Sequence, residues 1–281
     1  MSRSHRGRLI TFALLAPAAL LLAAVLIWPV LELASRSFRD PGGPFVLYAR
    51  VIEISTYLHV LLRTILVAIA TTAICLALGY PVALKLSTAR PLTKALILAC
   101  VLLPFWTNLL VRSYGWILIL NPRGILNSSL LHIGLISSPL ELVYNATGVL
   151  IGMSHIMMPF AILPLYAVMT RLDPQLANAA RTLGAGPLHA FLKVYLPMTL
   201  PGVMAGALLV FTISLGFFVV PAILGGARGL MLAQLIEFNI NSSLNWGMAA
   251  TLSTLLLAAT LLLYAIADRW LNLGSIWGLS R

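Results

Sequence analysis

Six apolar runs, each long enough to cross a lipid bilayer as a helix, recur along this chain, and nothing else in it constrains the fold as strongly. They read as Leu9 to about Val30, Leu58 to Leu84, Ala95 to Leu120, Thr147 to Val168, Leu200 to Leu224 and Met248 to Ala267. A hydrocarbon core of roughly 30 Å takes about 20 helical residues. Inside it every backbone N–H and C=O must be satisfied within the segment, which selects helices for runs of this kind. The spacing therefore predicts an all-α polytopic membrane protein with six transmembrane helices. A charged fraction of 9% beside a hydrophobic fraction of 60% excludes a soluble globular domain, where about a quarter of residues carry charge. Arg3, Arg6 and Arg8 ahead of the first run give it the outline of a signal peptide. Its length exceeds that of a signal-peptide core, so it is expected to remain as an uncleaved first helix.

The net charge of +11 does not point to nucleic acid, because the basic residues punctuate apolar runs instead of forming one stripe. They sort by membrane side. The N-terminal tail, the loop with Lys85, Arg90 and Lys94, the region with Arg171, Arg181 and Lys193, and the C-terminal tail hold eleven Lys/Arg and two acids. The opposite side holds seven basic and five acidic residues. The excess of Lys and Arg predicts that both termini and the 173–195 segment are cytoplasmic. The outer loops are rich in turn formers, as in Asp40-Pro41-Gly42-Gly43-Pro44 and Asn121-Pro122-Arg123-Gly124, and could receive a partner or ligand. Sequons at Asn127, Asn145 and Asn241 carry no weight without a glycosylating host. Cys75 and Cys100 lie in apolar runs without metal or redox spacing and are expected to be buried small hydrophobes.

The segment between the fourth and fifth runs is the most informative. Asp173-Pro174 is a helix start, and the helix is expected to run to about Leu183. Gly184 and Gly186 break it, and Pro187 begins a second short helix through about Tyr195. Pro197 and Pro201 then open the fifth span. Ala177, Ala179, Ala180 and Ala185 leave shallow contours in which another protein's surface could seat. On spacing alone, an ordinary capped cytoplasmic loop fits as well.

Ala179, Ala180, Gly184, Ala185, Leu196 and Pro197 resemble the EAA loop of permease subunits of ATP-binding-cassette importers, at that family's spacing. Asn178 stands where the family usually has glutamate. The wider pattern resembles the spermidine/putrescine-type permeases through Pro104-Phe105-Trp106-Thr107-Asn108 with Arg112-Ser113-Tyr114-Gly115, Gly124-Ile125-Leu126-Asn127, Met158-Pro159-Phe160 through Pro164-Leu165-Tyr166, and Gly225-Gly226-Ala227 with Asn245-Trp246-Gly247. The resemblance implies a type I ABC importer (MetI-like) permease fold in a bacterial inner membrane. It also implies a second related permease, ABC ATPase subunits and an extracytoplasmic solute-binding protein as partners. ATP and magnesium would belong to the ATPase, with no cofactor in this chain. Asn178, Ala179, Ala180, Arg181, Gly184, Ala185 and Gly186 would form the coupling contact with the ATPase. Substrate choice would rest largely with the binding protein.

The organisation that follows is a tail, first helix and extracytoplasmic loop over 1–57, a five-helix core over 58–270 that includes the 173–195 hairpin, and a C-terminal tail over 271–281. No G-x-x-x-x-G-K-[ST] loop is present to bind nucleotide, and neither H-E-x-x-H nor a Ser, His and acid constellation suggests an enzyme. His155 reads as a packed, hydrogen-bonded residue more readily than as a proton relay. The pairs Gly148/Gly152 and Gly202/Gly206 suit close helix packing within the subunit or, alternatively, between permeases. Pro81, Pro104, Pro159, Pro164 and Pro221 can kink or end spans. Trp106, Thr107, Asn108, Arg112, Ser113 and Tyr114 form a polar, aromatic patch expected to face the bundle interior. It either lines a translocation path or serves interhelical bonding and interfacial anchoring. A polycationic cargo would want acidic or aromatic groups, and Glu237, Glu141, Tyr144 and Trp246 are further candidates. The expected function is passage of a small polar solute, with a polyamine as one candidate. An ion-gradient-driven transporter or channel is the rival, disfavoured by the scarcity of intramembrane carboxylates.

Overall fold

The computed structural model describes residues 15–173, 184 and 186–271. Helices account for nearly all of them. In chain order they are α1 (Leu15–Arg36), α2 (Val46–Glu53), α3 (Ser55–Thr88), α4 (Pro91–Trp106), α5 (Leu109–Leu120), α6 (Ile125–His132), α7 (Ala146–Met169), α8 (Pro187–Leu215), α9 (Leu232–Asn241) and α10 (Trp246–Leu271). Five are long and apolar enough to cross a membrane, and the bent pair beginning at Pro91 supplies a sixth span if taken as one. The chain divides into two compact units, Met1–Leu58 with Leu235–Ala259, and His59–Gln234 with Thr260–Arg281.

In the first unit, α1 leaves its apolar side chains exposed, as befits a helix solvated by lipid. Glu32 holds Arg36 and Arg39 at 3.1 and 3.5 Å where the helix ends. The chain then turns into α2 through a buried Ser37, whose hydroxyl donates to the Ala34 carbonyl at 2.6 Å and lies 2.7 Å from the Tyr48 hydroxyl. Asn245 caps α10 by accepting from the Met248 N–H at 3.0 Å.

The second unit is organised on α7, which has buried residues throughout its length. Glycines bring α8 onto it in antiparallel register. A Cβ at Gly206 would stand 3.1 Å from the Ala161 carbonyl, and one at Gly202 would stand 3.2 Å from Leu165 Cα. Gly152 meets Leu224 and Val220 in the same way, so both glycine pairs pack within the chain. Helix α3 lies parallel to α7, with Gly79 against Ala161 and Ile162 and the Cys75 thiol donating to the Ser154 carbonyl at 3.3 Å. Cys75 is buried as expected, but Cys100 is exposed on α4.

Two spans differ from their expected outlines. The third is not one helix from Ala95 to Leu120. It breaks at Thr107-Asn108 and bends by 103°. Thr107 turns extended, and the Asn108 side chain accepts from the Leu110 N–H at 2.8 Å, starting α5 with its own cap. The fifth span, expected over Leu200 to Leu224 after a separate short helix, is one helix from Pro187 to Leu215. Pro197 and Pro201 lie inside it. A π turn over Phe191–Tyr195 precedes Pro197 and loosens the ladder where the proline nitrogen has no proton to give. At its far end the helix stops before Gly216, and Pro221–Gly225 forms a separate π turn.

Candidate functional site

Gly184 has φ +86°, a left-handed conformation that glycine adopts without steric cost. No heavy atom of the described residues lies within 4 Å of where its Cβ would be, so among them the constraint is backbone conformation. Gly186 does not take the positive φ expected of both glycines: at φ −60° and ψ 159° it caps α8 in extended geometry, and Pro187 takes the first helical position, where its missing N–H costs nothing. Asn178, Ala179, Ala180, Arg181 and Ala185 lie outside the described residues.

From Pro187 the helix continues into the membrane span without interruption. Aromatic side chains tie its start to α3. Phe191 and Tyr195 stack at 6.0 Å, and the Tyr80 ring meets Phe191 edge-on at 5.9 Å. The Tyr80 hydroxyl lies 2.9 Å from Thr199 Oγ1, and Thr199 itself donates to the Leu196 carbonyl, which leaves Tyr80 as the donor between the pair. The start of α8 is therefore joined to α3.

The bend between α4 and α5 forms the other locus. Trp106 is 88% exposed and Tyr114 58% exposed, with Thr107 and Asn108 exposed between them. Of this patch, expected to face the bundle interior, Ser113 is buried and donates to the Leu109 carbonyl at 2.8 Å, and Arg112 is half-buried. Trp106, Thr107, Asn108 and Tyr114 are exposed where the chain bends between α4 and α5. Two aromatic contacts fix the bend on α7. Phe105 meets Phe160 at 5.2 Å, and the Trp116 indole N–H donates to His155 Nδ1 at 3.3 Å. His155 is thus a packed and hydrogen-bonded residue. Arg112 Nε is buried with no hydrogen-bond partner among the described residues.

The predicted pathway residues divide between the units. Trp106, Asn108 and Tyr114 belong to the second, where the bend gathers them. Glu237 and Trp246 belong to the first, both exposed, with Glu237 accepting from the Asn241 amide at 2.9 Å. Three positioning residues were not singled out from sequence. Besides Tyr80, these are Thr64, whose hydroxyl accepts from the first N–H of α9 at 2.8 Å, and Asn127, fully buried, whose amide bonds Leu140 twice and the Asn121 carbonyl once. Asn127 sits in a sequon and in the Gly124–Asn127 motif. An amide that opens an apolar helix just after a turn was the available signal.

Residues 76–273 match the family described as binding-protein-dependent transport system inner membrane component. The spermidine/putrescine transport system permease protein PotB of Haemophilus influenzae is 37% identical over 257 residues, covering 88% of this chain and 90% of that protein. PotB of Escherichia coli is 37% identical over 228 residues, covering 80% and 82%. Among solved structures, a bacterial ABC transporter that imports the acidic polysaccharide alginate aligns with a TM-score of 0.78 at 14% identity, over 95% of this chain and 96% of its own.

Proposed function

The chain belongs to the family of binding-protein-dependent transport system inner membrane components, and from that premise we propose that it forms one half of an ATP-driven import path for a polyamine. It is a permease subunit of an ABC importer and does no covalent chemistry of its own. ATP and magnesium act in separate ATPase subunits. A second related permease completes the passage, and an extracytoplasmic binding protein delivers the cargo. Both termini and the 173–195 hairpin face the cytoplasm, in keeping with the excess of Lys and Arg on that side.

The observation that carries the reading is the unbroken helix from Pro187 to Leu215 beginning three residues after Gly184. An ATPase that grips 178–186 holds the end of a lever whose other end is a membrane span. Nucleotide-driven closure of two ATPases would then shift the paired permeases between inward-open and outward-open packings. Polyamine as cargo is supported by the two PotB relatives and by the outward-facing aromatic groups Trp106 and Tyr114, whose π faces suit ammonium groups. Glu237 and Trp246, in the first unit, are further candidate cargo contacts.

The test is uptake of radiolabelled spermidine and putrescine into proteoliposomes holding the purified assembly, with ATP inside the ATPase compartment and binding protein on the other side. ATP-dependent accumulation of either amine supports the proposal. Accumulation that follows an imposed proton or sodium gradient without ATP overturns it. ATP-driven uptake of another solute with no response to amines overturns the cargo alone.

A further inference from the structure

Helices α3, α4 and α7 enclose an apolar groove of about 590 Å³. On α4 its lining follows Ile97, Val101 and Pro104, and one turn earlier the same face carries Lys94. On α3 the lining residues Leu78 and Val82 lead, at the same spacing, to Lys85. On α7 the lining runs from His155 through Met158 and Pro159 to Ile162, and one turn beyond it stands Tyr166. Helices α3 and α7 run parallel, and α4 begins just after α3 ends, so all three stripes finish at one end of the groove. Contact geometry agrees, because Lys94 Nζ stands 5.5 Å from the centroid of the Tyr166 ring.

The groove's length is as informative as its polarity. Ten helical residues from Lys94 to Pro104 rise about 15 Å, which is half of a hydrocarbon core of roughly 30 Å. It is therefore one leaflet deep, apolar along its depth but for His155, and cationic at its aqueous end. That gradient matches an acyl chain continuing into a phosphate. A protein helix lying in the same groove would have no need of cations at that end, and an uncharged cargo would not need the greasy length.

We propose that this groove binds an anionic phospholipid of the cytoplasmic leaflet, with one acyl chain between α3, α4 and α7 and its phosphate between Lys85 and Lys94. The assignment rests on the cytoplasmic placement of the Lys85 to Lys94 loop given above. Basic residues at the cytoplasmic ends of spans attract anionic headgroups, and the lysine stems can lie along apolar surface while their amines reach the interface.

The complete assembly, purified in mild detergent and incubated with equal amounts of phosphatidylglycerol and phosphatidylethanolamine, is examined by native mass spectrometry, with lipid adducts read on this chain's mass. Phosphatidylglycerol should be retained preferentially. Combined Lys85→Gln and Lys94→Gln should lower that preference by about tenfold or more. Leu96→Trp, on an exposed wall of the groove, should displace both lipids while the ATPase still co-purifies. Equal retention of the two lipids, or an unchanged preference in the double variant, would overturn the proposal. So would efficient cross-linking of Cys100 to a helix of the companion permease in native membranes. Loss of the ATPase from the purified assembly would instead count against the importer reading, whichever lipid is bound.

Discussion

At Gly184 the physical demand on a single residue can be separated from crowding. With φ at +86° and no described atom within 4 Å of a Cβ, it is the left-handed backbone that limits a substitution. Gly184→Val, β-branched, should cost on the order of 1–2 kcal/mol at the turn, while Gly184→Asn should cost less because asparagine tolerates that region. Binding-protein-stimulated ATPase activity and transport should fall together in the valine variant, roughly 5- to 30-fold, with normal membrane insertion, and the asparagine variant should lie between it and wild type. Full coupling in the valine variant would remove this turn from the transmission path. Trp106 poses a different demand. A cation on an indole face contributes about 0.5–2 kcal/mol, so Trp106→Ala should raise the transport KM for spermidine about 2- to 30-fold, and Trp106→Phe should recover part of it. Gly184 could be read from the sequence, since a glycine between two capped helical patterns predicts its own φ. Tyr80 and Thr64 could not, because what they do depends on helices more than a hundred residues away in the chain meeting them.

Among the elements, packing of α7 against α8 relies on glycines, and a glycine of α5 supplies the control. A side chain at Gly206 would press on the Ala161 backbone at 3.1 Å, whereas nothing lies within 4 Å of a Cβ at Gly115. Gly206→Val should therefore destabilise the subunit by about 1–3 kcal/mol, seen as a lower unfolding temperature in detergent, and Gly115→Ala should leave it unchanged or slightly raised. The start of α8 makes the matching case for motion. Tyr80→Phe keeps the edge-on contact with Phe191 and loses only the bond to Thr199, so stability should fall by no more than about 1 kcal/mol. Tyr80→Ala removes the ring as well and should weaken coupling more than it weakens insertion. Helix number and type were legible from hydropathy, which reports only what lipid will accept. The break at Thr107-Asn108 and the absence of one at Pro197 were not, because hydropathy is blind to a side chain capping a backbone and to a π turn that accommodates a proline. The Thr-Asn pair before an apolar run was a cap signal within a span. Weighing it above the continuity of the run would have located the bend.

Charge ties these pieces together in the whole molecule. Near the bend the second unit contributes Arg112 and aromatic groups, a cation where a polycation would want opposite charge. Arg112 gives that argument a sign. A cation near a cargo charge opposes it by roughly 2 kcal/mol at about 8 Å and an effective dielectric of 20, less once salt and water screen it. Removing the guanidinium also removes a buried nitrogen that no described residue satisfies, so Arg112→Gln should insert and assemble at normal levels. If the cargo is a polyamine, Arg112→Gln should lower the transport KM by about two- to fivefold, more for trivalent spermidine than for divalent putrescine, and the gain should shrink as ionic strength rises. An anionic cargo would give the opposite sign, a higher KM in the same variant. An unchanged KM for every solute carried would place Arg112 off the path, leaving it to the packing of α5 alone.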